Sequence, residues 1–246
     1  MNLVVDIGNT LVKFAVFEHG ELVRQHVVEE PREEDFAALL QGGRAERAIV
    51  ASTRGAMPAL VETVRRHTDR LLEFTPATPV PIGNAYRTPE TLGRDRLAAA
   101  VGAATLYPGR NALIVDFGTA VTLDVVSAEG VFLGGCISPG VAMRFRALHE
   151  YTASLPLCEA TDCQSLVGRS TGEAIRFGVM NALTFEIEGY MARLEAEFEN
   201  LCVIFTGGDA KFFAKRIKNT IFANCNLVFC GLNRILEYNA SEEHLG

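Results

Sequence analysis

Five consecutive residues near the start of the chain, Asp6-Ile7-Gly8-Asn9-Thr10, carry the first recognisable chemistry. They follow the apolar run Leu3-Val4-Val5, so an aspartate and a glycine turn close a strand of the kind covered on both faces. Backbone N–H groups converge on a phosphate at such a turn. Gly8 lets the backbone come close to an anion, Asn9 and Thr10 add side-chain donors, and Lys13 supplies a cation. Asp6 can hold a metal ion directly or through water. One such motif alone also fits an ordinary strand-turn-strand with an exposed turn.

An internal echo changes that balance. Asn2 to Gly20 reads NLVVDIGNTLVKFAVFEHG and Ala112 to Gly130 reads ALIVDFGTAVTLDVVSAEG. Asp6, Gly8 and Gly20 have counterparts 110 positions on, at Asp116, Gly118 and Gly130, with no gap needed. Both segments read as the same hairpin, an apolar strand reaching Asp, a Gly turn, an alternating strand and a second Gly turn. Two equivalent turns, Asp6 to Lys13 and Asp116-Phe117-Gly118-Thr119, are suited to gripping the phosphates of one nucleotide from two sides. A third piece, Val203 to Ala210 with Gly207-Gly208 at its centre, runs strand to glycine turn to helix. No GxxxxGK[ST] sequence occurs, which excludes a P-loop fold.

The elements that must position these residues read as α/β. Helical spacing of apolar residues predicts helices over Pro58 to Leu72, Asp95 to Leu106 and Thr171 to Phe198. The last places Ala174, Phe177, Leu183, Ile187, Met191, Leu194 and Phe198 mostly on one face. Thr75 to Pro89 is the one Pro-rich stretch and reads as an ordered loop leading into a site. Tyr107 to Arg110 stops a helix just before the second hairpin. The expected domains are therefore 1–108 and 109–246, with the last helix able to pack back on the first domain.

Composition narrows the partners. At 246 residues and 48% apolar content the chain can bury a substantial core. It carries 23 basic against 30 acidic residues, a net charge of -7, with no Lys/Arg stripe to track nucleic acid. The N-terminus runs from Met1 straight into a short strand, without a secretory start, and no apolar run approaches the roughly 20 residues of a membrane span. A cytoplasmic protein with no membrane or nucleic-acid partner is the expectation. Cys136, Cys158, Cys163, Cys202, Cys225 and Cys230 form no CxxC pair and read as buried, reduced thiols. His149, beside Arg144 and Arg146, reads as a surface residue.

The paired hairpins and the Gly207-Gly208 turn resemble the actin, heat-shock and sugar-kinase ATPase superfamily. That resemblance implies two similar ribonuclease H-like α/β domains with the active site in the cleft between them. Tyr86 to Arg96, YRTPETLGRDR, looks like the YxxPxxxGxDR segment of type III pantothenate kinases. Gly134-Gly135-Cys136-Ile137-Ser138-Pro139-Gly140 is similar to that family's GGxIxPG turn, Leu155-Pro156 to its LP pair, and Ser170-Thr171-Gly172 to its Thr-bearing helix start. Phosphoryl transfer to an alcohol needs a carboxylate to orient the hydroxyl and take its proton, and Asp95 at a helix start suits that task. Arg96 suits a substrate carboxylate.

The resemblance implies that Asp6, Ile7, Gly8, Asn9, Thr10, Leu11, Val12 and Lys13 bind ATP, with Thr119, Gly207 and Gly208 contacting the nucleotide. It implies pantothenate binding by Tyr86, Gly93, Arg94, Asp95, Arg96 and Thr171, with Asp95 as proton acceptor. It further implies magnesium near Asp6, a monovalent cation, potassium or ammonium, on Asp116, and a homodimer. Two positions depart from the family pattern: Thr88 stands where Asn is frequent, and Ala120-Val121-Thr122 where Ala-Thr-Thr is usual. Two other readings compete, a non-catalytic accessory or transcriptional regulator of the same family and a sugar or acetate kinase relative. The retained acidic residues oppose the first, and the Tyr86 to Arg96 segment opposes the second.

Overall fold

The computed structural model describes residues 1–162, 165–219 and 221–242. Its first sheet grows outward from β1 (Asn2–Ile7), whose Leu3 to Ile7 are all buried. Burial on both faces is why these residues are a continuous apolar run and not an alternating one. β2 (Val12–Glu18) and β3 (Glu21–Val28) follow as antiparallel neighbours. β4 (Ala45–Ser52) lies parallel on the other side of β1, and β5 (Thr68–Glu73) parallel beyond it. The order is β3-β2-β1-β4-β5. Helices α1 (Glu33–Leu40) and α2 (Pro58–Arg66) cover one face, where Phe14, Phe36, Leu60 and Val64 join the core.

The same order recurs later in the chain. β7 (Ala112–Phe117) takes the place of β1, flanked by β8 (Ala120–Val126) and β9 (Val131–Pro139) on one side. β10 (Cys202–Gly207) and β11 (Ile221–Ala223) lie parallel on the other. The second sheet thus runs β11-β10-β7-β8-β9, and the short strand β6 (Gly83–Asn84) pairs in parallel with Val131 and Phe132 at the start of β9. The 110-position offset that relates Asp6 to Asp116 also relates the bounds of β1 to those of β7. Helices α4 (Val141–Glu150), α5 (Thr171–Glu197) and α6 (Ala210–Arg216) accompany this sheet. Leu183, Ile187 and Met191 of α5 enter its core with Phe177, Leu194 and Phe198 against it, while Ala174 is exposed.

Two expectations from sequence change. The helix expected over Pro58 to Leu72 ends at Arg66, and Thr68–Glu73 is an edge strand beside β4. Its apolar residues happen to keep helical spacing from Val64, so periodicity alone ran through the turn at His67. Of the cysteines, Cys158 and Cys202 are buried and Cys230 half-buried, but Cys136 and Cys225 are exposed; Cys163 lies outside the described residues.

The chain forms two compact units. One comprises Met1–Gly109, Val126–Gly134 and Asn226–Gly246; the other comprises Arg110–Val125 and Gly135–Cys225. In the first, α3 (Arg94–Leu106) packs along α7 (Leu227–Glu242). Glycines make that approach possible: a Cβ on Gly231 would fall on the Ala98 carbonyl, and one on Gly102 on the Leu227 carbonyl. Asn2 Nδ2 donates to Asn233 Oδ1 at 2.9 Å, tying α7 to the start of β1.

Gly231→Ala is therefore expected to destabilise the protein by about 2 kcal/mol or more through overpacking. Gly189→Ala on α5, where the added Cβ meets nothing within 4 Å, is expected to stabilise by roughly 0.5–1 kcal/mol through helix propensity. Chemical denaturation of the two variants should move the midpoint in opposite directions.

Candidate active site

In the first unit the chemistry gathers where β1 and β2 open. Asp6 faces Lys13 across the two strands, in register, with Lys13 Nζ 4.0 Å from Asp6 Oδ2. The turn is closed by Gly8 N–H donating to the Leu11 carbonyl at 3.0 Å. Ile7 and Val12 are fully buried, so only their backbone is available to a ligand; Asn9 and Thr10 are exposed at the tip. The Ile7 carbonyl is taken by Thr53, which donates its N–H at 2.9 Å and its hydroxyl at 3.2 Å.

Asp6 is only 4% exposed. Burial pushes its carboxyl up to about 6, Lys13 pulls it down, and the nearby Asp95 carboxylate raises it further. Two carboxylates and one ammonium thus share a water-poor corner. Such a set of hard oxygen donors fits a divalent cation that keeps most of its shell for water and phosphate. Among the described residues no group of three or more His, Cys, Asp or Glu side chains could hold a metal.

Asp95 comes from the segment that the Pro-rich loop delivers. After β6, Asn84 Oδ1 accepts the Tyr86 N–H at 3.0 Å. A single 3-10 turn at Pro89–Thr91 leads through Gly93 to α3. Asp95 Oδ1 accepts the Arg96 N–H at 2.8 Å, satisfying one orphan donor of the helix start. The Arg96 guanidinium lies 5.6 Å from the Tyr86 ring and 5.8 Å from the Phe132 ring, two cation–π contacts that fix its direction. Arg94 points elsewhere: its Nη2 donates to the Pro89 carbonyl at 3.0 Å and to the Leu92 carbonyl, and its guanidinium lies 5.7 Å from Phe74. Burial lowers the pKa of Arg94, and the Asp95 carboxylate offsets part of that.

The second unit repeats the turn with different chemistry. Asp116, half-buried at the end of β7, stands in register with Thr206 of β10. Gly207 has φ 88°, and a Cβ there would collide with the Asp116 carboxylate and the Phe117 backbone, so the glycine lets the two strand ends meet. Gly208 and Thr119 are exposed. The GGCISPG segment, expected as a turn, is instead the second half of β9 followed by Gly140, the N-cap of α4; the Thr119 carbonyl accepts the Gly140 N–H at 3.2 Å, so the end of that strand lies against the Gly118-Thr119 turn. Arg144 pins the strand end, donating to the Pro139 carbonyl at 2.7 Å, Ser138 Oγ at 2.8 Å and Glu186 at 2.6 Å. Thr171 opens α5, exposed, one residue after the capping Ser170 hydroxyl that accepts the Glu173 N–H. His149 is exposed and donates through Nδ1 to the Leu155 carbonyl at 2.8 Å.

Sequence reasoning passed over Phe74 and Phe132 and named Arg144 only as a neighbour of His149. Aromatic residues in apolar strands carry no sign of the arginine they support. The arginine in the GGCISPG-helix segment lies among ordinary helical residues.

The Asp6 pKa has a consequence for the nucleotide-free protein. A raised carboxyl pKa means the folded state holds the proton more tightly, so no penalty exists below about pH 4, and it grows as pH rises through about 6. Asp6→Asn is expected to exceed the parent in stability at pH 8 by an amount on the order of 3 kcal/mol, two pKa units at 1.36 kcal/mol each. The difference should shrink toward zero at pH 4, as followed by denaturation at both pH values.

Known proteins resemble this chain in fold and in sequence. A solved structure from Campylobacter jejuni, described as a Baf family transcriptional activator, superposes with a TM-score of 0.65 at 20% identity, covering 97% of this chain and 99% of that one. The activator of 2-hydroxyisocaproyl-CoA dehydratase from Clostridium difficile, solved with bound ADPNP, gives 0.57 at 13% identity over 99% and 96%. These likenesses establish the fold, the two-domain actin and sugar-kinase ATPase fold. The type III pantothenate kinase of Christiangramia forsetii is 40% identical over 98% of this chain and 100% of its own. The type III pantothenate kinase family matches residues 2–193, and the chain belongs to that family.

Proposed function

We propose that the protein transfers the γ-phosphoryl group of ATP to the 4'-hydroxyl of pantothenate, giving ADP and 4'-phosphopantothenate, the first step of coenzyme A synthesis. Family membership supports the reaction. The observation that carries its assignment to particular residues is the convergence of Asp6, Lys13 and Asp95 in one unit, beside an arginine held by aromatic rings.

In this reading the Asp6 to Lys13 turn binds the ATP phosphates, with backbone N–H groups and the Lys13 ammonium offsetting their charge. Thr119, Gly207 and Gly208 contact the nucleotide. Tyr86, Gly93, Arg96 and Thr171 bind pantothenate, Arg96 pairing with its carboxylate. Asp95 accepts the proton of the 4'-hydroxyl as its oxygen attacks the γ-phosphorus, and the bond to the β-phosphate oxygen breaks to release ADP. Magnesium, held by Asp6 directly or through water, supplies neutralisation of phosphate charge when bound. Asp116 takes potassium or ammonium. A cytoplasmic homodimer without nucleic-acid or membrane partners completes the proposal; among the described residues no helix is long and apolar enough to cross a membrane.

A coupled ADP-release assay tests the reading. With pantothenate, magnesium and ATP, turnover is expected in potassium and a raised KM for ATP in sodium; equal KM values in the two salts would remove Asp116 from the cation role. Asp95→Asn should leave ATP binding intact and lower kcat by about 100-fold or more, the usual worth of a general base. Near-parental turnover in that variant would strike Asp95 from the mechanism. No ADP release with pantothenate under any salt would overturn the proposal itself.

A further inference from the structure

We propose that Arg94 is a positioning residue that clamps the acceptor segment to the first sheet and does not itself touch the acceptor. The inference rests on the pantothenate kinase reading for its kinetic consequences, though not for its geometry.

The starting point is helical geometry. Arg94 and Arg96 lie two positions apart at the start of α3, and at 3.6 residues per turn they project to nearly opposite sides. Arg96 takes the side of Tyr86 and Phe132. Arg94 is consequently turned to the side of Phe74, with Asp95 between the two. Both arginines are buried, at 8% and 6% exposure.

What Arg94 grips is specific. Its Nη2 donates to the carbonyls of Pro89 and Leu92, the first residue of the 3-10 turn and the residue just past it. That turn is held at its start, where the Thr91 N–H donates to the Thr88 carbonyl at 3.0 Å and the Thr91 hydroxyl lies 2.9 Å from that carbonyl and 2.8 Å from Thr88 Oγ1, but its end is weak, the Leu92 N–H reaching the Pro89 carbonyl only at 3.4 Å. Gly93 provides no side-chain cap to α3. The far side of the clamp is firm, because buried Phe74 donates its N–H to the Val50 carbonyl of β4 at 2.8 Å. The path is continuous from β4 through Phe74 and the Arg94 guanidinium to the carbonyls that fix where α3 begins. The place where α3 begins is the place of Asp95. Arg94 also borders a cavity of about 660 Å³ at the ends of β1, β4 and β5, with Ile7, Ser52, Met57 and Phe74, a second side from which a direct ligand contact is conceivable and which the experiment must separate.

The test compares Arg94→Met with Arg96→Met using pantothenate and pantothenyl alcohol, which keeps the 4'-hydroxyl and replaces the carboxylate. As a positioning residue, Arg94→Met lowers kcat/KM for both acceptors by the same factor, about tenfold or more for a misplaced base. The KM for ATP stays within about twofold, whereas Arg96→Met loses only the carboxylate-bearing acceptor. Hydrogen exchange gives the independent readout: the Thr91, Leu92 and Leu97 amides should exchange about tenfold faster or more in Arg94→Met. Loss confined to pantothenate would make Arg94 a direct carboxylate contact and overturn the proposal, as would unchanged exchange at those amides. If neither acceptor is turned over by the parent protein, the function reading fails and the exchange result alone decides the clamp. Should Arg94→Met not fold, Arg94→Lys, which keeps the charge but lacks the planar fork, carries the same two measurements with smaller shifts of the same sign.

Discussion

A carboxylate held almost out of water at the end of a central strand is the feature around which the first unit is arranged. Asp6 cannot be moved outward without breaking the Asp6–Lys13 register of β1 and β2, and its surroundings favour the neutral acid. Desolvation and the Asp95 charge oppose ionisation, and one ammonium at 4.0 Å offsets them only in part. Such an arrangement costs stability in the empty protein and is relieved when a further cation arrives. The corner is thus better matched to an added cation than to its own charges alone, as the proposed role of Asp6 beside magnesium requires.

The second turn shares the backbone plan and not the electrostatics. At the position 110 residues beyond Lys13 stands Leu123, buried in the core. Asp116 is half-buried where Asp6 is buried. The two strand ends share a backbone plan, and the different residue on the neighbouring strand, Lys13 or Leu123, gives them different chemistries.

Where local residues decide local structure, the chain could be read directly. The offset between the two hairpins located β1 and β7 around Leu3 to Val5 and Leu113 to Val115, because strands buried on both faces leave little choice of register. The segment Tyr86 to Arg96 stood out through its resemblance to the YxxPxxxGxDR pattern, and the structure places its Asp95 and Arg96 in the first turn of α3. Other features are settled by partners far away in sequence. Thr68–Glu73 is a strand because β4 needs a neighbour, although its apolar spacing from Val64 suits a helix. Val126–Gly134 and Asn226–Gly246 cluster with the first 109 residues, through contacts between segments far apart in the chain. Phe74 and Phe132 resemble any other core aromatic until Arg94 and Arg96 are seen against them.

The helix that carries Asp95 explains why the acceptor side needs support from outside it. From Leu97 to Ala103 every residue of α3 is buried, so it lacks the polar stripe of a surface helix and is enclosed on all sides. α7 lies along it through glycine contacts, and β4 contacts it as well. Enclosure of this kind holds the body of the helix in place, but it acts on small side chains, Ala98 to Ala100 and Ala103, that contribute little to fixing the first turn. The first turn is where the charged residues stand, and there the helix has a glycine N-cap without a side chain and follows a turn whose last backbone bond, Leu92 N–H to the Pro89 carbonyl, is long at 3.4 Å. Precision at Asp95 therefore depends on side chains that bridge to neighbouring elements, and the two arginines beside it, each seated on an aromatic ring, are the groups long enough to do so.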